Sequence, residues 1–102
     1  MNHISNSITI VCYDITSNRL RNMIDRCLKD FGLRIQFSVF LCRLDAEGVK
    51  HCKVKLMDVL KIYATEKKPD DSLIIFERLN FDSIDCLVGN KIERNIPKFL
   101  IL

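Results

Sequence analysis

The sequence predicts an α+β sandwich, with two amphipathic helices on one face of an antiparallel sheet, on three observations. Short β-branched and aromatic runs fall at residues 8–15, 33–44 and 72–79. Two stretches between them repeat apolar residues at helical spacing. The chain has 102 residues, of which 48% are hydrophobic, enough for one compact core and not two.

The first strand is Ile8-Thr9-Ile10-Val11-Cys12-Tyr13-Asp14-Ile15. Thr16, Ser17 and Asn18 then offer side chains that cap a helix start. From Leu20, apolar residues return at Met23, Ile24, Cys27, Leu28 and Phe31, the stripe of an amphipathic helix, and Gly32 is expected to close it in the left-handed conformation. Residues 33–44 are extended in character: Leu33, Ile35, Phe37, Val39 and Leu41 alternate with Arg34, Gln36, Ser38, Phe40 and Cys42. Periodicity alone leaves open one long strand or two short ones bent near Ser38. Asp45 is placed to cap a second helix, whose stripe is Val49, Cys52, Leu56, Val59, Leu60 and Tyr63, with lysines at 50, 53, 55 and 61 on its outer face. Lys67-Lys68-Pro69-Asp70-Asp71 reads as a loop, and Leu73-Ile74-Ile75-Phe76 as a buried strand. Residues 84–88 are expected to form a short further strand, ended by Gly89, before an apolar tail from Ile96 to Leu102.

The sum is β-α-β(β)-α-β plus an extra strand, a ferredoxin-like sandwich in one domain spanning residues 1–102, with a core at 8–88 and a C-terminal extension at 89–102. The first strand is apolar on both faces, with Ile8, Ile10 and Cys12 on one and Val11, Tyr13 and Ile15 on the other. Helices cover one face only. The natural cover for the other is a second copy, so a face-to-face two-fold homodimer is expected.

The net charge of +3 is too small to announce nucleic acid by itself. Its distribution is more informative: up to Asp45, Arg19, Arg21, Arg26, Lys29, Arg34 and Arg43 oppose only Asp14, Asp25, Asp30 and Asp45. A phosphate-binding face and an ordinary solvated face both fit. The five cysteines have no C-x-x-C pair, and Cys12, Cys27 and Cys52 fall in line with apolar stripes, so they read as small buried hydrophobes in a reducing cytoplasm. His3 and His51 do not supply a zinc set. No apolar run approaches the ~20 residues of a membrane span, and the N-terminal stretch lacks signal-peptide character, so a cytoplasmic location is expected.

Asp14 carries the chemistry. A carboxylate at the end of an apolar strand either caps the following turn or awaits a cation. If the strand's outer face meets its symmetry mate, two Asp14 carboxylates approach each other and must take up a proton or share a cation. A hard ion such as Mg²⁺ prefers such oxygens and activates water against a phosphodiester. There is no histidine pair, no D-x-D cluster and no glycine-rich phosphate loop to support another hydrolytic site.

Tyr13-Asp14-Ile15 at the strand end, Arg19 and Arg21 opening the helix, and Gly32-Leu33-Arg34-Ile35-Gln36-Phe37-Ser38-Val39-Phe40 together resemble the CRISPR-associated protein 2 family. The similarity covers roughly residues 8 to 88 and rests on the combination, since neither string is specific alone. Phe37 stands where a tyrosine is common in the family. The resemblance implies a homodimer, with residues 33–44 split into two strands. It implies that Asp14 and its symmetry mate form the catalytic Mg²⁺ site of a metal-dependent endonuclease acting on RNA or DNA. It implies that Tyr13, Arg19, Arg21, Arg34, Ser38 and Phe40 lie near that cleft or the nucleic acid. It also implies a second role, in which the dimer bridges the CRISPR integrase and supports DNA during spacer acquisition. A ferredoxin-like RNA-binding protein or toxin-type ribonuclease outside CRISPR is the alternative, and it would require stacking aromatics on the free sheet face, where Phe40 is the main candidate.

Overall fold

The computed structural model describes residues 7–89. Four strands, β1 (Ser7–Asp14), β2 (Leu33–Gln36), β3 (Val39–Cys42) and β4 (Ser72–Asn80), form one antiparallel sheet in the order β2-β3-β1-β4. Helices α1 (Asn18–Lys29) and α2 (Ala46–Ile62) pack on one face of it. This is the predicted ferredoxin-like sandwich, and the helix starts fall where the caps placed them. Ser17 Oγ accepts from the amide of Leu20 at 3.1 Å, and Asp45 Oδ1 from the amide of Gly48 at 2.8 Å.

The register assigns the faces. Val11 pairs with Phe40 on β3 and Ile75 on β4, and with Tyr13 and Ile15 it joins Leu20, Ile24, Leu28, Cys52 and Leu56 in the core under the helices. The opposite face carries Ile8, Ile10, Cys12 and Asp14. Its upper part forms a second cluster of Ile8, Ile35, Leu41 and Phe81. A bulge between β1 and β4 sits at Arg78, whose φ is 60°, and it brings Leu79 opposite Ile8 on that face.

The ambiguous segment resolves into a hairpin. Gln36 pairs with Val39, so Phe37 and Ser38 form a two-residue turn with φ of 64° at Ser38. Turning there removes Phe37 from the strand alternation and leaves it 74% exposed, while Phe40 is fully buried.

Three expectations need correction. Gly32 does not adopt a left-handed conformation, because Gly89 has the only positive glycine φ among the described residues. Its bareness serves a close approach: a Cβ there would lie 2.4 Å from the carbonyl oxygen of Leu41 and 2.6 Å from Sγ of Cys42. The run 73–76 is not buried throughout, since Ile74 is 51% and Phe76 46% exposed on the outer face. The extra strand expected at residues 84–88 is absent. Asn80 Oδ1 accepts from the amide of Asp82, a 3₁₀ turn forms over Phe81–Ser83, and Phe81 and Ile84 fold across the sheet instead of pairing along it. The tail from residue 90 onward lies outside the described residues.

Four of the five cysteines behave as small hydrophobes, Cys42 and Cys52 buried and Cys12 and Cys27 half-buried, whereas Cys86 is exposed, against expectation; all five are free. Burial pushes the thiols of Cys42 and Cys52 up to about 12 and that of Cys27 to about 11, which keeps them protonated near neutral pH. Gly32→Ala forces a Cβ into backbone that has no room to yield. It should lower unfolding stability by about 2 kcal/mol or more, read as a reduced urea midpoint.

Candidate nucleic-acid and metal site

The polar turn after β1 is capped without Asp14. Asp71 Oδ1 accepts from the Thr16 amide at 2.9 Å and its hydroxyl at 3.0 Å, and Asp71 Oδ2 from the Lys68 amide at 2.8 Å. These hydrogen bonds, the Lys68 amide foremost, hold the Asp71 carboxyl below the usual carboxylate range. Ser17 caps α1 and also donates to Glu66 at 2.8 Å. Asp14 is left exposed at the end of β1, opposite Ser72, its carboxylate making no hydrogen bond or ion pair among the described residues. Of the two roles open to this acid, turn cap or ligand, the first is filled by Ser17 and Asp71.

The hairpin tip closes against this strand end. The Tyr13 amide donates to the Ser38 carbonyl at 3.1 Å, which fixes Ser38 beside Asp14. Arg21 donates through Nη1 to the Ile15 carbonyl at 2.8 Å, bonds the Asn18 side chain, and lies 5.5 Å over the Phe37 ring. Arg19 lies 5.3 Å over the ring of Tyr63. Asp14, Arg21, Phe37 and Ser38 therefore gather at one end of the sandwich, while Arg19, two residues before Arg21 on α1, leaves the helix on another side, toward Tyr63.

Tyr13 and Phe40 do not reach that surface. Alternation turns both toward the helices, where Tyr13 is 5% exposed and Phe40 fully buried, so neither ring can stack on a base. The two rings stack with centroids 6.5 Å apart. The Tyr13 hydroxyl donates to Asp25 Oδ1, and Arg34 Nη2 lies 2.5 Å from Asp25 Oδ2. Burial first, then this bond to Asp25, pushes the Tyr13 hydroxyl well above the ordinary phenol range, which removes it as an acid or base near neutral pH.

Two participants escaped sequence reasoning. Phe37 is an exposed aromatic because it sits at a turn, which an aromatic-Ser pair between two short β runs could have signalled. Asp25 gave no signal, because its partners come from β1 and β2. As for a metal, no group of three or more histidine, cysteine, aspartate or glutamate side chains among the described residues is arranged to hold an ion. Asp71 beside it is committed to Thr16 and Lys68, which leaves Asp14 as the uncommitted oxygen donor here among the described residues, and Mg²⁺ is a hard ion that keeps several waters and takes one or two such carboxylates. No helix among the described residues is long and apolar enough to cross a membrane.

Fold and strand-end carboxylate together define a class: a small ferredoxin-like protein with an exposed acid where β1 meets α1. The family model described as CRISPR associated protein Cas2 matches residues 7–80, and the chain belongs to that family. It is 33% identical over 72 residues to a protein of Thermodesulfovibrio yellowstonii named CRISPR-associated endoribonuclease Cas2 2, covering 64% of this chain and 76% of that protein. It is 39% identical over 61 residues to the CRISPR-associated endoribonuclease Cas2 of Thermus thermophilus, covering 53% of this chain and 65% of that protein. Among solved structures, a hypothetical protein from Thermus thermophilus superposes with a TM-score of 0.64 at 26% identity, over 80% of this chain and 90% of that one. Streptococcus pyogenes Cas2 shares the fold, with a TM-score of 0.55 at 20% identity over 68% of this chain and 82% of that one.

Tyr13→Phe removes one hydrogen bond of a covered network. It should cost about 1–2 kcal/mol of stability, measured by chemical denaturation, while leaving the far-ultraviolet circular dichroism unchanged.

Proposed function

We propose that this protein acts as a homodimeric, nucleic-acid-binding subunit of CRISPR adaptation, with a divalent-dependent phosphodiesterase centre at the two Asp14 carboxylates. The observation that carries this reading is Asp14 itself, exposed and unpaired among the described residues beside the hairpin tip while Ser17 and Asp71 do the capping. The relatives named endoribonucleases support the nuclease part.

The dimer rests on the outer sheet face. Ile74 and Phe76 are about half exposed there, beside half-buried Ile10, Cys12 and Val39, and Asp14 belongs to the same face by alternation. Covering the half of Ile74 and of Phe76 that is still exposed is worth about 1 kcal/mol each, a gain that two copies packing these faces together make on both sides. That packing brings the Asp14 carboxylates toward each other. Bound between them, Mg²⁺ would supply an activated water and neutralise phosphate charge. The chain's own residues do the rest. Asp14 supplies the oxygen ligand, Arg19 and Arg21 attract the phosphate backbone, Phe37 offers a ring face, and Ser38 borders the strand end.

The scarcity of other acid-base groups favours a second, compatible role. Tyr13 is held neutral and inward, so hydrolysis would lean on Asp14 alone, whereas binding DNA and bridging the integrase during spacer acquisition needs only the dimer and its cations. A reducing cytoplasm suits both roles.

Asp14→Asn should abolish Mg²⁺-dependent cleavage of RNA and DNA substrates, with dimer mass unchanged by light scattering; cleavage at the unaltered rate would place the chemistry elsewhere. Spacer acquisition that survives the same substitution would support the bridging role. Phe76→Glu should convert the dimer to monomer in sedimentation, and a dimer of normal affinity would remove the outer face as the interface.

A further inference from the structure

The three arginines near the site end on different partners. Arg19 faces the Tyr63 ring at 5.3 Å, and Arg21 faces the Phe37 ring at 5.5 Å while donating to the Ile15 carbonyl. Neither meets a carboxylate among the described residues, so both keep their full charge toward solvent. Arg34 differs. Its Nη2 lies 2.5 Å from Asp25 Oδ2, and its flat face lies 5.6 Å over the Phe40 ring.

Asp25 is not a casual surface partner. Its side chain is 17% exposed against 39% for that of Arg34, and its other oxygen takes the Tyr13 hydroxyl. The carboxylate thus ties β1 to β2 through Tyr13 and Arg34. Swinging away would strand a buried phenol without its acceptor, so the carboxylate is held in place from behind. Meanwhile the guanidinium keeps an edge that solvent reaches. A phosphate approaching that edge meets a cation already neutralised at contact distance, and a cation in that condition releases no counterion from a nucleic acid.

We infer that Asp25 holds Arg34 in reserve: the carboxylate occupies the guanidinium as a phosphate oxygen would, and excludes Arg34 from the polyanion-binding charge that Arg19 and Arg21 present. The functional meaning rests on the nucleic-acid-binding reading above, but the charge latch itself is read with any polyanion. Two probes separate them, elution from heparin-agarose and the salt dependence of binding to a labelled oligothymidine.

Asp25→Asn keeps the acceptor for Tyr13 and removes the charge. It should elute later from heparin than wild type, and later than Asp58→Asn, which makes the same charge change on α2. It should tighten oligothymidine binding about two- to fivefold beyond that control, and steepen the salt slope by ~0.7. Introduced into an Arg34→Gln background, Asp25→Asn should give no more than the Asp58→Asn increment. Equal shifts for Asp25→Asn and Asp58→Asn, or an Asp25→Asn increment that persists without Arg34, would overturn the inference. If Asp25→Asn fails to fold, single arginine variants decide: Arg19→Gln should reduce the salt slope and Arg34→Gln should leave it unchanged, and equal reductions would show Arg34 already engaging phosphate. The predicted order on heparin with no oligothymidine binding by wild type would sustain the latch and refute the nucleic-acid reading instead.

Discussion

Strand β1 is paired along both edges, and the rest of the structure depends on that. Val11 meets Phe40 on one side and Ile75 on the other, so β1 is the central element through which β3 and β4 share one sheet. Its inward residues Val11 and Tyr13, with Ile15 just past its end, anchor both helices, and its outward residues Ile8, Ile10 and Cys12 lead to Asp14. The strand cannot shift by one residue without exchanging its two apolar faces and burying the acid. The same constraint that builds the core therefore fixes where the carboxylate emerges.

The site is a by-product of how three elements end together. β1 runs out at Asp14, the β2–β3 hairpin turns at Phe37 and Ser38, and α1 begins at Asn18 after the Ser17 cap. Capping by Ser17 and Asp71 leaves Asp14 without an internal role. Among the described residues its carboxylate has no partner, so it adds nothing to the stability of a domain that is only marginally stable.

Behind that surface lies a second polar arrangement with opposite logic. Tyr13, Asp25 and Arg34 satisfy one another around the buried ring of Phe40. Two residues that the family resemblance places near nucleic acid, Tyr13 and Phe40, thus support the site from inside. Their distance from the surface follows from strand parity.

The element order, both helix caps, the two helical stripes and the two-faced character of the first strand were legible in the sequence, because each depends on residues a few positions apart. Asp14 could be singled out for the same reason, as could the family from its two motif strings. Contacts between distant segments decided the rest. Ser38 became a turn because Gln36 and Val39 pair, and that pairing exposed Phe37 while Phe40 went inward against Val11. Gly32 proved to be needed for approach to Leu41 and Cys42 and not for its backbone freedom. Phe81 folded over the sheet in place of a fifth strand because Ile8, Ile35 and Leu41 offered an apolar surface that no local pattern reveals. Periodicity states which residues share a face, but only the folded chain determines what each face meets, because burial and pairing are set by partners far away in sequence.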